Sequence, residues 1–201
     1  MSREFITGAT TVGIVVKNGV VLASEKRVTY GYSLMSKAGK KVFKITDRLG
    51  LACAGLIADM QTISRILAAE VRLYEIENAR RMSVRSAAKL LSTILFNKRL
   101  LPYFTETLIG GIDDSGPHLF ILDPIGSLIE DDYAALGTGA KIAIGILESE
   151  YDKNHPLSKA REIAIKSIKT AIGRDAVSGD GIDILVISPE GMKEESILIK
   201  G

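Results

Sequence analysis

The sequence predicts an α+β fold in which two mainly antiparallel sheets lie face to face, each covered by a pair of helices. Order is the first reason: the chain reads as strands, two helices, strands, two helices, strands. Helices that arrive in adjacent pairs do not act as single crossovers between parallel strands, so hairpin-built sheets with helix layers outside fit better. The second reason is that all four helices carry an apolar stripe, and two stacked sheets offer two outer faces to bury them. The third is that the apolar strand runs are joined by short segments rich in Asp, Asn, Pro and Gly, the residues of tight turns.

Val12–Lys17 and Val20–Glu25 are apolar, β-branched runs separated by Asn18-Gly19, which suits a two-residue type I′ turn. A third strand is expected over Tyr30–Ser36, and the alternation across Lys41–Ile45 suggests a fourth. A turn at Asp47–Gly50 leads to a buried strand, Leu51–Gly55. In residues 59–78, Ile63, Ile66, Leu67, Val71 and Tyr74 recur at helical spacing, with Asp59 as the expected cap. Ser83 is placed to cap the next helix, whose apolar positions include Ala87, Leu91, Ile94 and Leu95. Strands return at Thr107–Ile112, His118–Leu122 and Ser127–Asp131. Ala140–Tyr151 and Ser158–Arg174 form the second helix pair, and strands at Ile182–Ser188 and Glu195–Ile199 close the chain.

With 201 residues, 46% hydrophobic and 25% charged, the chain suffices for one domain with a sizeable core. Its 26 basic and 24 acidic residues leave a net charge of +2, which gives no reason to expect nucleic acid or a membrane as partner. A single cysteine, Cys53, cannot form an internal disulfide, which points to a reducing, cytoplasmic setting. Residues 1–8 lack the apolar core of a signal peptide, and Leu49–Ala58 is too short to cross a bilayer. No Cys/His/Asp group stands at ligand spacing, so neither metal nor other cofactor is expected. His118 and His155, in or beside turns, read as surface residues.

An ordered set of short motifs runs through nearly the whole chain. It comprises Thr10-Thr11-Val12-Gly13-Ile14, Ala23-Ser24-Glu25-Lys26-Arg27, Gly39-Lys40-Lys41-Val42-Phe43, Ala54-Gly55-Leu56, Gly110-Gly111-Ile112-Asp113, Gly137-Thr138-Gly139, Arg174-Asp175-Ala176-Val177-Ser178-Gly179 and Gly181-Ile182-Asp183. In that order the chain resembles a 20S proteasome β-subunit of the archaeal type. The resemblance implies the αββα sandwich of N-terminal-nucleophile hydrolases, which agrees with the layers read above. It also implies a threonine-type endopeptidase that degrades unfolded polypeptides inside a barrel of seven-membered rings. The implied partners are other β-subunits, an α-subunit ring and, indirectly, an ATP-dependent unfoldase.

The family's chemistry begins with a propeptide cut after Gly, which exposes an N-terminal Thr. The Thr hydroxyl attacks a carbonyl while its own α-amine takes the proton. By resemblance, residues 1–8 are the propeptide and 9–201 the subunit domain, with the junction at Gly8 and Ala9. Lys41 is the implied central ammonium and Glu25 its carboxylate partner, where related subunits often carry Asp. Gly55 is the implied oxyanion donor through its backbone N–H. Thr138, Asp175 and Ser178 are implied to orient the amine and the catalytic water. Thr29 is implied to pair with substrate backbone, and Val28, Cys53 and Ile57 to line an apolar pocket for the side chain before the cut.

Ala9 departs from this pattern, because it has no hydroxyl with which to attack. The expectation is therefore an inactive chain that keeps residues 1–8, with Phe5–Gly8 lying in the cleft as an uncut substrate mimic. An engineered Thr→Ala exchange accounts for the intact Lys41, Glu25, Asp175 and Ser178 better than a naturally silent subunit, which is free to lose them. The alternatives are a structural or assembly subunit of a mixed ring and the peptidase of the bacterial two-component ATP-dependent protease. Taken singly, Lys41 and Glu25 read as an ordinary strand-pair salt bridge, Thr138 as a helix cap and Cys53 as a small buried apolar residue.

Overall fold

β1 (Thr10–Val16) and β2 (Gly19–Glu25) form the predicted hairpin, and every residue in both is buried. A computed structural model describes residues 8–199. The turn differs from the expected one. Its two loop residues are Lys17 and Asn18, since Val16 pairs with Gly19, and neither has positive φ. Gly19 serves packing instead: a Cβ there would lie 2.3 Å from the Ile187 carbonyl oxygen.

The expected third strand over Tyr30–Ser36 is a small separate hairpin, β3 (Val28–Tyr30) with β4 (Ser33–Ser36), folded about Gly31. It is followed by β5 (Val42–Lys44) and β6 (Leu49–Gly55). Next come α1 (Ile57–Asn78) and α2 (Val84–Asn97). Ser83 caps α2 as expected, accepting from Ser86 N at 3.1 Å. Asp59 does not cap α1; it sits inside the first turn and accepts from Phe104 N at 2.8 Å.

β7 (Thr105–Asp113), β8 (Gly116–Leu122) and β9 (Leu128–Glu130) follow. Sequence reasoning missed β10 (Tyr133–Gly137), a short Ala-containing run with weak intrinsic strand preference that is ordered by pairing with β1. The chain ends with α3 (Ala140–Glu150), α4 (Leu157–Ile172), β11 (Gly181–Ser188) and β12 (Gly191–Leu198). His118 is half-buried in β8 rather than on an open turn; it bonds Glu130 and Ser115 and stacks on Phe120.

One sheet has the order β10-β1-β2-β11-β12 and the other β5-β6-β7-β8-β9, with every pairing antiparallel. Three apolar layers hold them. Leu67, Leu91 and Leu95 of α1 and α2 pack on Leu51, Ile109 and Phe120 of the second sheet. Ala143, Leu147, Ile163 and Ile168 of α3 and α4 pack on Val12, Ile14 and Ile184 of the first. Val20, Leu22, Leu108, Leu119 and Leu185 fill the space between the sheets. The two sheets between helix pairs match the predicted architecture and bring Ala9, just ahead of β1, close to the ends of β6 and β10.

Candidate active site

Ala9 is wholly buried, and its backbone is the centre of a polar cluster. Its N–H donates to Thr138 Oγ1 at 3.3 Å, on the turn between β10 and α3. The Thr138 hydroxyl also lies 2.5 Å from Asp175 Oδ2, which accepts a second bond from Ser178 Oγ at 2.7 Å. Ser178 Oγ in turn lies 2.8 Å from Thr10 Oγ1. Thr138 and Asp175 stand 37 positions apart in sequence, yet with Ser178 they form one hydroxyl–carboxylate chain against residues 9 and 10. Thr138 is not the cap of α3: Gly139 holds that position without a side-chain bond.

On the other side of Ala9, Lys41 is only 1% exposed. Its ammonium contacts Glu25, donates to the Arg27 carbonyl at 2.6 Å, and reaches the Gly8 carbonyl at 3.4 Å. The second Glu25 oxygen accepts from the backbone N–H of Arg27 at 2.6 Å and of Gly179 at 2.9 Å. Burial pushes the Glu25 carboxyl up and the Lys41 ammonium down, each toward its neutral form, while the partner's charge pulls the other way. The fixed donors on Glu25 and the carbonyl acceptors on Lys41 favour the charged form of each and oppose the cost of burial.

Gly55 ends β6 at φ +134°, a conformation that disfavours any Cβ; one built there would lie 2.2 Å from the Phe104 carbonyl oxygen. The following amide, Leu56 N, donates to that same oxygen at 2.7 Å, so the turn out of β6 is tightly set. Gly55 lines a cavity of about 250 Å³ together with Gly8, Lys41, Val28, Thr29 and Ile57.

Most of the sequence-named residues are therefore brought together around Ala9. Cys53 is placed elsewhere. Its fully buried sulfur lies 3.9 Å from Thr107 Oγ1 within the core under α1 and α2, and it does not line the cavity. Cys53 lies with Leu51 on the helix-facing side of β6, enclosed in the same core as Met60, Ile63 and Leu67 of α1. Burial pushes its thiol up to about 12. Met35, Tyr30 and Leu56 form much of the cavity's wall in its stead. Tyr30 and Met35 come from the small hairpin, whose position no local pattern discloses. Thr10 and Arg27, both inside quoted motifs, also touch the site, Thr10 through Ser178 Oγ and Arg27 through the carbonyl that Lys41 contacts. The Thr29 hydroxyl is buried without a hydrogen-bond partner among the described residues. Phe5, Ile6 and Thr7 lie outside the described residues, so of the expected cleft-bound segment only Gly8 is seen.

A four-layer αββα sandwich with this cluster at the head of its first strand is the architecture of an N-terminal-nucleophile hydrolase. The chain belongs to the proteasome subunit family: the family model described as proteasome subunit matches residues 6–187. It is 53% identical over 200 residues to proteasome subunit beta 2 of Pyrobaculum calidifontis, covering 100% of this chain and 98% of the relative. It is 58% identical over 194 residues to proteasome subunit beta 2 of Caldivirga maquilingensis, covering 96% of each. Proteasome subunit beta 1 of Ignicoccus hospitalis is 58% identical over 180 residues, 90% of each chain. This likeness places the chain among archaeal proteasome β-subunits, by family threonine-type endopeptidases that assemble with other proteasome subunits in rings. It sets aside the bacterial two-component peptidase.

Proposed function

We propose that this chain is a peptidase subunit of a 20S core whose own catalysis is switched off at position 9. The observation that carries the reading is the convergence of Lys41, Glu25, Thr138, Asp175 and Ser178 on the Gly8–Ala9 junction. With Thr at position 9, the hydroxyl would attack the preceding carbonyl, which Lys41 already contacts, and later the carbonyl of a bound polypeptide. The freed α-amine has an unperturbed pKa near ~8, and the neighbouring ammonium lowers it toward use as a base at neutral pH. Thr138, Asp175 and Ser178 would hold that amine and the hydrolytic water. The Gly55 N–H would receive the oxyanion. Thr29 would pair with substrate backbone, and the cavity walled by Val28, Met35 and Ile57 would take an apolar side chain.

Ala9 supplies no nucleophile, so residues 1–8 stay attached as an unprocessed propeptide ahead of the domain formed by residues 9–201. The intact set of partner residues favours an engineered exchange over a subunit long free of catalytic duty. The particle would sit in the cytoplasm, pair its β-rings with an α-subunit ring, and receive chains from an ATP-dependent unfoldase. Exposed Tyr32, Ile76, Leu100 and Leu101 supply apolar surface for neighbouring subunits.

The test is Ala9→Thr in the assembled particle, read by intact mass and a fluorogenic peptide. The expected result is loss of residues 1–8 and peptide hydrolysis, with neither in the parent chain. Failure of both in the Ala9→Thr particle would favour a structural or assembly subunit.

A further inference from the structure

Two cavities flank the junction and share Gly55. The first, described above, is lined by Gly8 and Lys41. The second, about 340 Å³, is lined by Gly55 and Thr138 together with Phe104, Glu106 and Pro124. The chain's own Gly8–Ala9 bond gives the polarity of the pair. Gly8, the acyl half, lines the first cavity, and the Ala9 nitrogen, the amine half, rests on Thr138 at the edge of the second.

The proton balance of acyl transfer points the same way. The hydroxyl oxygen bonds the carbonyl carbon, the C–N bond breaks, and the proton taken up by the residue-9 amine goes to the departing nitrogen. The leaving half must therefore stand beside the residue-9 nitrogen, on the Thr138 side.

Glu106 gives this second cavity its character. It lies on β7 opposite Ala54 and is solvent-exposed. One of its carboxylate oxygens accepts from Gly137 N at 2.9 Å, which anchors the side chain against the turn that carries Thr138. No cation pairs with it among the described residues. Phe104, also exposed, and Pro124 supply apolar wall beside the carboxylate. A long side chain with a methylene stem and a cationic head matches that combination.

We propose that the second cavity receives the side chain following the cut bond and selects lysine or arginine there through Glu106. This rests on the reading of position 9 as the nucleophile position. The test uses the assembled Ala9→Thr particle and three quenched fluorescent peptides that differ only in the residue after the cut: Lys, Gln or Glu. Cut positions are confirmed by mass spectrometry. The Lys peptide is expected to exceed the Glu peptide in kcat/KM by about fivefold, the scale of a partly exposed ion pair, with Gln between them and the ratio shrinking in high salt. Glu106→Gln keeps an acceptor for Gly137 N, and in it the Lys-to-Glu ratio is expected to fall to about one.

Equal rates for the three peptides, or a preference that survives Glu106→Gln, would overturn the proposal while leaving the nucleophile reading intact. A Glu106→Gln particle slowed equally on all three peptides, with the ratio kept, would assign Glu106 a purely structural role and also overturn it. An Ala9→Thr particle that cuts none of them would overturn both readings together.

Discussion

Lys41–Glu25 and Lys166–Glu150 are chemically the same pair, an ammonium against a carboxylate, each in direct contact. Their surroundings differ completely. Lys41 and Glu25 are 1% and 0% exposed, whereas Lys166 is 57% exposed on α4. In water, two mobile charged side chains gain little by meeting, because solvent screens the attraction and ordering them costs entropy. Inside, the same attraction is stronger, but each charge has lost its hydration and depends on every remaining partner. A surface pair is dispensable, while a buried pair commits the fold. Under the proposed function that commitment has a use, since it holds the buried Lys41 nitrogen 3.4 Å from the Gly8 carbonyl.

The largest break in this comparison is Lys41→Met, which strands the Glu25 carboxylate in the interior. A loss of about 3–5 kcal/mol is expected from denaturant unfolding near neutral pH. The loss should depend on pH in a definite direction. Burial already holds the Glu25 carboxyl above its ordinary 4.5, and without Lys41 it rises further. A folded value above the unfolded one makes the contribution most favourable below the unfolded value and loses it as pH climbs through the folded one. The variant should therefore approach the parent in stability below about pH 4.5 and fall away above it. A pH-independent loss would mean that packing, rather than charge, dominates the site.

Arg27–Asp180 lies between the extremes, with side chains 28% and 10% exposed. The guanidinium hydrogen bonds hold the Asp180 carboxyl below its ordinary 3.8. Here the sign reverses: the stabilisation is present above the unfolded value and disappears as pH falls through the folded one. Asp180→Asn should lower the unfolding midpoint at pH 7, by less than Lys41→Met, and the difference should shrink toward pH 3. The smallest effect is expected from Lys166→Gln, whose midpoint should match the parent at both low and high salt. A clear loss there would break the argument that exposure makes the pair dispensable.

The layered fold was legible because its signals are local and repeated. Strand runs, the paired helices and the Ser83 cap depend on neighbours within a few residues. Where the reading failed, a distant contact had overridden local preference. The hairpin loop moved to Lys17-Asn18 because Gly19 is needed against Ile187. Asp59 left its capping role for the amide of Phe104, 45 residues away. Tyr133–Gly137 became a strand because β1 offered it a paired edge.

The site divides in the same way. The amino-acid sequence by itself determined the chemistry available: a residue without a hydroxyl at position 9, with Lys41, Glu25, Thr138, Asp175, Ser178 and Gly55 placed in recognisable motifs. Only the tertiary structure decided which of them meet, and through which atoms. It sent Cys53 to the helix-facing side of β6, brought Met35 in from a separate hairpin, and set Glu106 beside Thr138 at the edge of a second cavity. The physical reason is that residue type travels with the chain, whereas desolvation and the direction of a side chain arise only when segments far apart in sequence exclude water together.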